Sequence, residues 1–274
     1  MAVAPFELIE PRTGEVPVVV EVPHAGLWID PESMAHTLAP VRAIGRDADL
    51  YVDELAVEAP DRGASLLMSR ISRYVVDLNR EPTDYDRGSV DSGSGSNFPR
   101  GVIWRLTAEG EPVLHSPVSE SELERRLDRY YRPYHQALER VVRRKTTRFG
   151  GAVVVSLHSM PSMGKAPGSG LMTARADVVI GTRGQTTASR ALISLVDDHV
   201  RTFGWSVAHD DPYRGGATTT RLGQPDQGVH AIQIELARRL YMDETSLTPK
   251  AGAFGVVQSF CGGLVARIGA AALG

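Results

Sequence analysis

Pro17-Val-Val-Val-Glu-Val-Pro-His24-Ala-Gly26 and Ala152-Val-Val-Val-Ser-Leu-His158-Ser-Met-Pro161 are two short, β-branched, apolar runs, each leading to a histidine. Near-continuous apolar runs of this length read as strands of a parallel sheet, covered on both faces. Residues just past the carboxyl ends of such strands line the crevice where α/β proteins place their chemistry. A third run, Val229-His-Ala-Ile-Gln-Ile-Glu235-Leu236, ends on a carboxylate. Imidazoles and acidic groups delivered by separate strand ends offer the nitrogen and oxygen ligands, and the nearby base, that a catalytic zinc requires. The expectation is a metal-dependent hydrolase on an α/β fold.

Outward from these runs, strand-like and helix-like segments alternate, which favours α/β over segregated α+β. Strands are expected at 17–22, 65–70, 73–78, 152–157, 177–181, 205–208 and 230–236. Ser119 followed by Glu122 is a capping-box signature, and Leu123, Leu127, Tyr130, Tyr134, Leu138 and Val142 follow at helical spacing. That predicts a long amphipathic helix kinked at Pro133. A second helix is expected over about 187–203, stopped by Gly204, and a last one from about Pro249 with Val256, Val257, Phe260, Leu264 and Ile268 along it. Asp84 to Pro99, containing Gly88-Ser-Val-Asp-Ser-Gly-Ser-Gly-Ser-Asn97, is polar and glycine-rich and reads as a mobile surface loop, a candidate lid. With no internal repeat and no composition break, one domain over 1–274 is the simpler reading.

Composition narrows the partners. A net charge of −3 offers no basic field for a phosphate backbone, so nucleic acid is excluded as an expected partner. One cysteine, Cys261, can form neither an internal disulfide nor a Cys-rich metal cluster, which fits a reducing cytoplasm. The N-terminus lacks the basic start and apolar core of a signal peptide, and no stretch reads as the roughly 20 apolar residues of a membrane span. Oligomeric state is not legible.

Seven segments resemble one family, in that family's order: Pro23-His24-Ala-Gly26, Arg46-Asp47-Ala-Asp49-Leu-Tyr-Val-Asp53, Ser72-Arg73-Tyr-Val-Val-Asp77-Leu-Asn79-Arg80, Tyr131-Arg-Pro-Tyr-His135, His158-Ser-Met160, Pro212-Tyr-Arg-Gly-Gly216 and Gly228-Val-His-Ala-Ile-Gln-Ile-Glu235. Together they are similar to the N-formylglutamate amidohydrolases. The resemblance implies a mixed central sheet flanked by helices, phosphorylase/hydrolase-like and similar to zinc carboxypeptidases and aspartoacylases. It also implies hydrolysis of N-formyl-L-glutamate to formate and L-glutamate, in histidine catabolism.

Each candidate residue has its own chemistry. His24 and His158, after two apolar strands, are the first two metal ligands, as neutral imidazoles whose second nitrogens need a carbonyl or carboxylate. His36, His115, His199 and His209 have no such setting; His135 and His230 are read as neighbours of the site or as ordinary polar packing. The third ligand is a hard oxygen donor from Asp47, Asp49, Asp53 and Glu54, on a helix expected to begin near residue 47. The bland alternative is capping by Asp47 and a solvated acidic face. The family pattern favours Asp49, with Asp47 as alternative. Glu235 is costly to bury ionised without a cation. Catalysis as general base is set against a salt bridge to Arg238 or Arg239. By resemblance, Asn79 and Arg80 grip a substrate carboxylate, where the planar guanidinium suits two parallel hydrogen bonds. Arg73, Arg175 and Arg221 are further cations, Arg221 the best placed because it follows the paired glycines Gly215 and Gly216. Zinc is the expected ion, although histidine and carboxylate donors also accept manganese, iron or cobalt.

Three departures from the family pattern stand out: Ser156 where many members carry an aspartate, Gly181-Thr182 where Gly-Asp is common, and Asp210-Asp211-Pro212 where an Asn frequently precedes the Pro-Tyr pair. Pocket polar groups decide between similar amides. A deacylase or carboxypeptidase-like enzyme acting on another N-acyl amino acid or peptide, and a binding protein that keeps the fold without catalysis, are therefore the alternatives.

Overall fold

A computed structural model describes residues 4–93, 98–165 and 170–273. Its strands are β1 (Phe6–Ile9), β2 (Val18–Val22), β3 (Ser65–Ser69), β4 (Ala152–Met160), β5 (Met163–Lys165), β6 (Met172–Ala174), β7 (Val178–Gly181), β8 (Val207–His209), β9 (Val229–Ala237), β10 (Met242–Asp243) and β11 (Thr248–Pro249). The α-helices are α1 (Pro31–His36), α2 (Val41–Asp47), α3 (Val52–Leu55), α4 (Glu120–Arg126), α5 (Arg132–Phe149), α6 (Arg190–Thr202), α7 (Ala217–Leu222) and α8 (Ala253–Leu273).

The chain divides into two compact units, one of Met1–Glu7, Pro23–Leu50 and Met68–Arg140, the other of Leu8–Val22, Tyr51–Leu67 and Val141–Gly274. The second unit holds most of a seven-stranded sheet ordered β1-β3-β2-β4-β9-β7-β8. β2, β4 and β9 are mutually parallel, β7 runs antiparallel to β9, and β8 is parallel to β7. This is the mixed central sheet expected. Register matters more than order: Glu21 pairs with Ser156, Ser156 with Gln233, and His158 with Glu235. Because side chains alternate along a strand, these five residues project from one face. The opposite face, carrying Val20, Val155 and Leu157, packs against Cys261, Leu264 and Val265 of α8.

Helix α8 has the length and apolar composition to cross a membrane, unlike the reading from sequence, yet Val257, Phe260, Leu264 and Ile268 along it are buried in the core of this unit. Val256, expected on the same face, is 49% exposed. Helix α6 begins three residues later than expected, where the Ser189 hydroxyl caps the Leu192 amide, and ends before Gly204 at φ +72°.

In the first unit, the expected strand at 73–78 is absent. Tyr74, Val75, Val76 and Leu78 are fully buried, but in turns: the Tyr74 amide bonds Ser72 Oγ, Arg126 donates to the Tyr74 and Val75 carbonyls, and the Asp77 amide donates to the Val102 carbonyl. A buried arginine thus does the work of a neighbouring strand. The long helix starts at the Ser119 cap as expected, then widens into a π-helical turn over Leu127–Tyr131 before α5. Pro133 has no N–H to return to the carbonyl one turn back, so the break falls just ahead of the proline. The described part of the polar passage at 84–99 is anchored: buried Asp86 accepts from the Gly88 amide and from Arg105, and Val90 is fully buried. The tip, 94–97, on which the lid reading falls, lies outside the described residues.

Candidate metal centre

In the first unit, His24 follows β2 on a segment that crosses close to its neighbour. The Trp28 amide donates to the Arg70 carbonyl, and Gly26 sits so near that a Cβ there would lie 2.3 Å from the Arg70 carbonyl carbon. His24 Nε2 donates to Asp77 Oδ1 at 2.7 Å, since a carboxylate can only accept. Asp77 Oδ2 accepts from Arg73 at 2.9 Å and from the Trp104 indole at 2.9 Å, and Arg73 stacks 4.5 Å above that indole. The imidazole is therefore held in one tautomer, with Nδ1 3.6 Å from Asp49 Oδ2. Burial and the Arg73 guanidinium push His24 down, but Asp77 and Asp49 outweigh them and its pKa lies above the ordinary value. Burial pushes Asp77 up; His24 and Arg73 hold it well below the usual carboxylate range.

Asp49 is buried on the connector after α2, its amide bonded to the His24 carbonyl. The helix expected to begin at residue 47 ends there instead, so Asp47 sits at a C-terminus. Asp47 Oδ2 accepts from the Tyr74 hydroxyl at 2.6 Å and the Ala108 amide at 2.8 Å, a structural role. Asn79 and Arg80 lie in turns of this unit, not at a strand end; Arg80 donates to the Arg100 carbonyl, and Arg73, one of the further cations, is committed to Asp77.

In the second unit, His158 lies within β4, which runs three residues further than expected, and is 2% exposed. Its Nε2 lies 3.0 Å from Ser156 Oγ, which lies 2.7 Å from Glu21 Oε1. Glu235, level with His158 on β9, accepts from the Gln233 side-chain amide at 2.8 Å, and Gln233 Oε1 accepts from the Gly216 amide at 2.9 Å. Of the two arginines offered as its salt-bridge partners, Arg239 bonds Asp177 at 2.7 Å and Arg238 donates to Ser159. Arg221 is half-buried on α7, which packs against β4 and β9. Gly215, at φ +100°, gives close approach to Thr219 of the helix that follows it: a Cβ would meet the Thr219 hydroxyl at 2.5 Å. Arg175 bonds the Pro161 carbonyl and stacks on Tyr213. At the departures at 182 and 210, Asp210 accepts from the Thr182 and Gly184 amides.

Among the described residues, one buried group of histidines and carboxylates has the composition and spacing to hold a metal ion: ligand atoms of His24, Asp49 and His158 all lie within 4.8 Å of one another. Two nitrogens and one carboxylate oxygen are the donor set of a three-ligand catalytic site with a position left for water or substrate. The bonded Nε2 of each histidine leaves Nδ1 to serve as donor. The residues fit such an ion.

The family model for N-formylglutamate amidohydrolase matches residues 16–242. The chain belongs to that family. It is 31% identical to the N-formylglutamate deformylase of Pseudomonas putida over 243 residues, 85% of this chain and 84% of the relative. The same identity holds over 241 residues to that of Pseudomonas aeruginosa, covering 87% and 86%. A solved N-formylglutamate amidohydrolase from Ralstonia eutropha JMP134 superposes with a TM-score of 0.89 at 30% identity, over 98% of both chains. A solved gene product of Agrobacterium tumefaciens, 19% identical over 96% of this chain and 95% of its own, shares the fold at a TM-score of 0.70. Asp77, Glu21, Ser156 and Gln233 of this family member received no role from sequence. The signal for Asp77 was Arg73 four residues earlier; Glu21 was visible only as a carboxylate in an otherwise all-valine strand.

Proposed function

We propose that this enzyme hydrolyses the formyl amide of N-formyl-L-glutamate to formate and L-glutamate, with a divalent metal, zinc by preference, held by His24, Asp49 and His158. The observation carrying this reading is the buried His24, Asp49 and His158 group in a chain whose relatives from two Pseudomonas species are N-formylglutamate deformylases. When bound, such an ion polarises the formyl carbonyl and acidifies the attacking water. Glu235 takes a proton from that water as the new C–O bond forms, then delivers it to the amine nitrogen as the C–N bond breaks. Gln233, fixed by the Gly216 amide, orients the Glu235 carboxylate. Asn79 and Arg80 hold the α-carboxylate, and Arg221 takes the side-chain carboxylate.

The enzyme works in the cytoplasm in this reading. Its one thiol is inert there: burial, with the Glu58 carboxylate, pushes Cys261 up to about 12. The test is formate or amine release from N-formyl, N-acetyl and longer N-acyl glutamates and aspartates, alongside metal analysis of the purified protein. Preference for the N-formyl glutamate, abolished by a chelator and restored by Zn2+, is expected. Preference for a longer acyl group would make it a deacylase, and absence of both metal and turnover would make it a binding protein.

A further inference from the structure

The hydroxyl of Ser156 bonds both a fully buried carboxylate on β2 and a histidine on its own strand. Glu21 and Ser156 both have 0% exposure, and His158 has 2%. The serine hydroxyl donates to the Glu21 carboxylate at 2.7 Å. A serine has a single proton. Once that proton is given to Glu21 Oε1, the Ser156 oxygen can only accept from His158 Nε2 at 3.0 Å. The direction of both bonds is thereby set by the carboxylate end, and His158 carries its proton on Nε2, leaving the Nδ1 lone pair.

We propose that Ser156 is a positioning residue that passes the Glu21 carboxylate on to His158, fixing the tautomer and ring orientation in which Nδ1 meets the metal. The register builds this relay: Glu21 and Ser156 are paired across β2 and β4, and Ser156 and His158 are successive residues on one face. His24 bonds the Asp77 carboxylate, and His158 bonds a hydroxyl that itself donates to a carboxylate. Partners of this kind typically influence metal affinity by roughly 10–100-fold. The inference rests on the metal-centre reading above.

Thr and Val at 156 have nearly the same shape and differ by the hydroxyl, so the test compares Ser156→Thr with Ser156→Val, with Ser156→Ala and Glu21→Gln beside them. Two readouts are taken: long-range 1H–15N correlations of the His158 ring in chelator-treated protein, and Zn2+ affinity by competition with a chromophoric chelator. The native protein and Ser156→Thr are expected to show the Nε2–H tautomer and to bind Zn2+ alike. Ser156→Val and Ser156→Ala are expected to show mixed tautomers and affinity lower by roughly 10–100-fold. Glu21→Gln is expected to loosen the tautomer without removing the hydroxyl. Equal spectra and affinities for the Thr and Val variants would overturn the relay and leave the metal centre standing. Failure of the native protein to bind Zn2+ would overturn the metal centre, and the relay's purpose with it.

Discussion

Asp47 and Asp49 are two residues apart, equally buried, and chemically identical, yet their surroundings divide the work between them. Asp47 accepts from a phenol and a backbone amide, and burial, together with the contact to Asp47, pushes the Tyr74 hydroxyl pKa up. Asp49 faces His24 Nδ1 instead. Asp49→Asn is therefore expected to lose stoichiometric metal while folding normally, and Asp47→Asn to keep metal while losing about 1–3 kcal/mol of stability from its buried hydrogen bonds. Metal analysis and urea unfolding on both variants check this, and metal loss in Asp47→Asn alone would exchange their roles. Glu235 makes a second contrast. If it moves the proton, Glu235→Gln keeps the shape and the metal but lowers kcat by roughly 100-fold or more. A Gln variant with native turnover would remove Glu235 from the chemistry.

Between residue and fold stands the crossing of His24-Ala-Gly26 over Arg70-Ile71. A Cβ on Gly26 would come within 2.6 Å of the Arg70 carbonyl oxygen and the Ile71 amide as well, and these are backbone atoms that cannot swing aside. Gly26→Ala is expected to cost about 1–3 kcal/mol by overpacking and to weaken metal binding by dragging His24 out of place; native affinity in that variant would show the crossing to be tolerant. Elements of this sort mark where sequence reading stops. The β-branched runs ending near His24, His158 and Glu235 were legible because their pattern and their place in the sheet have one cause, burial on both faces. The run Tyr74–Leu78 has the same pattern and is no strand, because Arg126, some fifty residues away, satisfies its carbonyls. Nothing local distinguishes the two cases. His24 and His158 were nameable for the same reason the strands were, and Asp49 only through the family pattern, whereas Asp77, Ser156 and Glu21 around the histidines, and Gln233 beside Glu235, come from partners fixed only by register and by loops.

For the molecule as a whole, charge buried in both units makes acid the condition that matters most. Burial works against the Glu122 carboxylate, but Arg125 and Arg126 bring it below the ordinary 4.5; Lys145 and Arg144 do the same for Glu15. His24 and Arg73 hold Asp77 well below 3.8. A carboxylate whose pKa is lower folded than unfolded binds its proton more readily in the unfolded chain, so its contribution is complete above the unfolded value and is lost as pH falls through the folded one. Histidines act higher up and oppose one another: burial lowers His199 and His230, while His24 is raised in the metal-free protein. Burial lowers Lys145, against its bond to Glu15. The chelator-treated protein is therefore expected to lose stability steeply below about pH 4.5. In Glu122→Gln that acid-dependent loss should be smaller, although the variant starts less stable because fully buried Arg126 has lost its counter-ion. Urea midpoints at half-unit steps from pH 7 to 3 measure both effects, and a midpoint unchanged between pH 5 and 3 would mean these carboxylates keep their ordinary values in the folded chain.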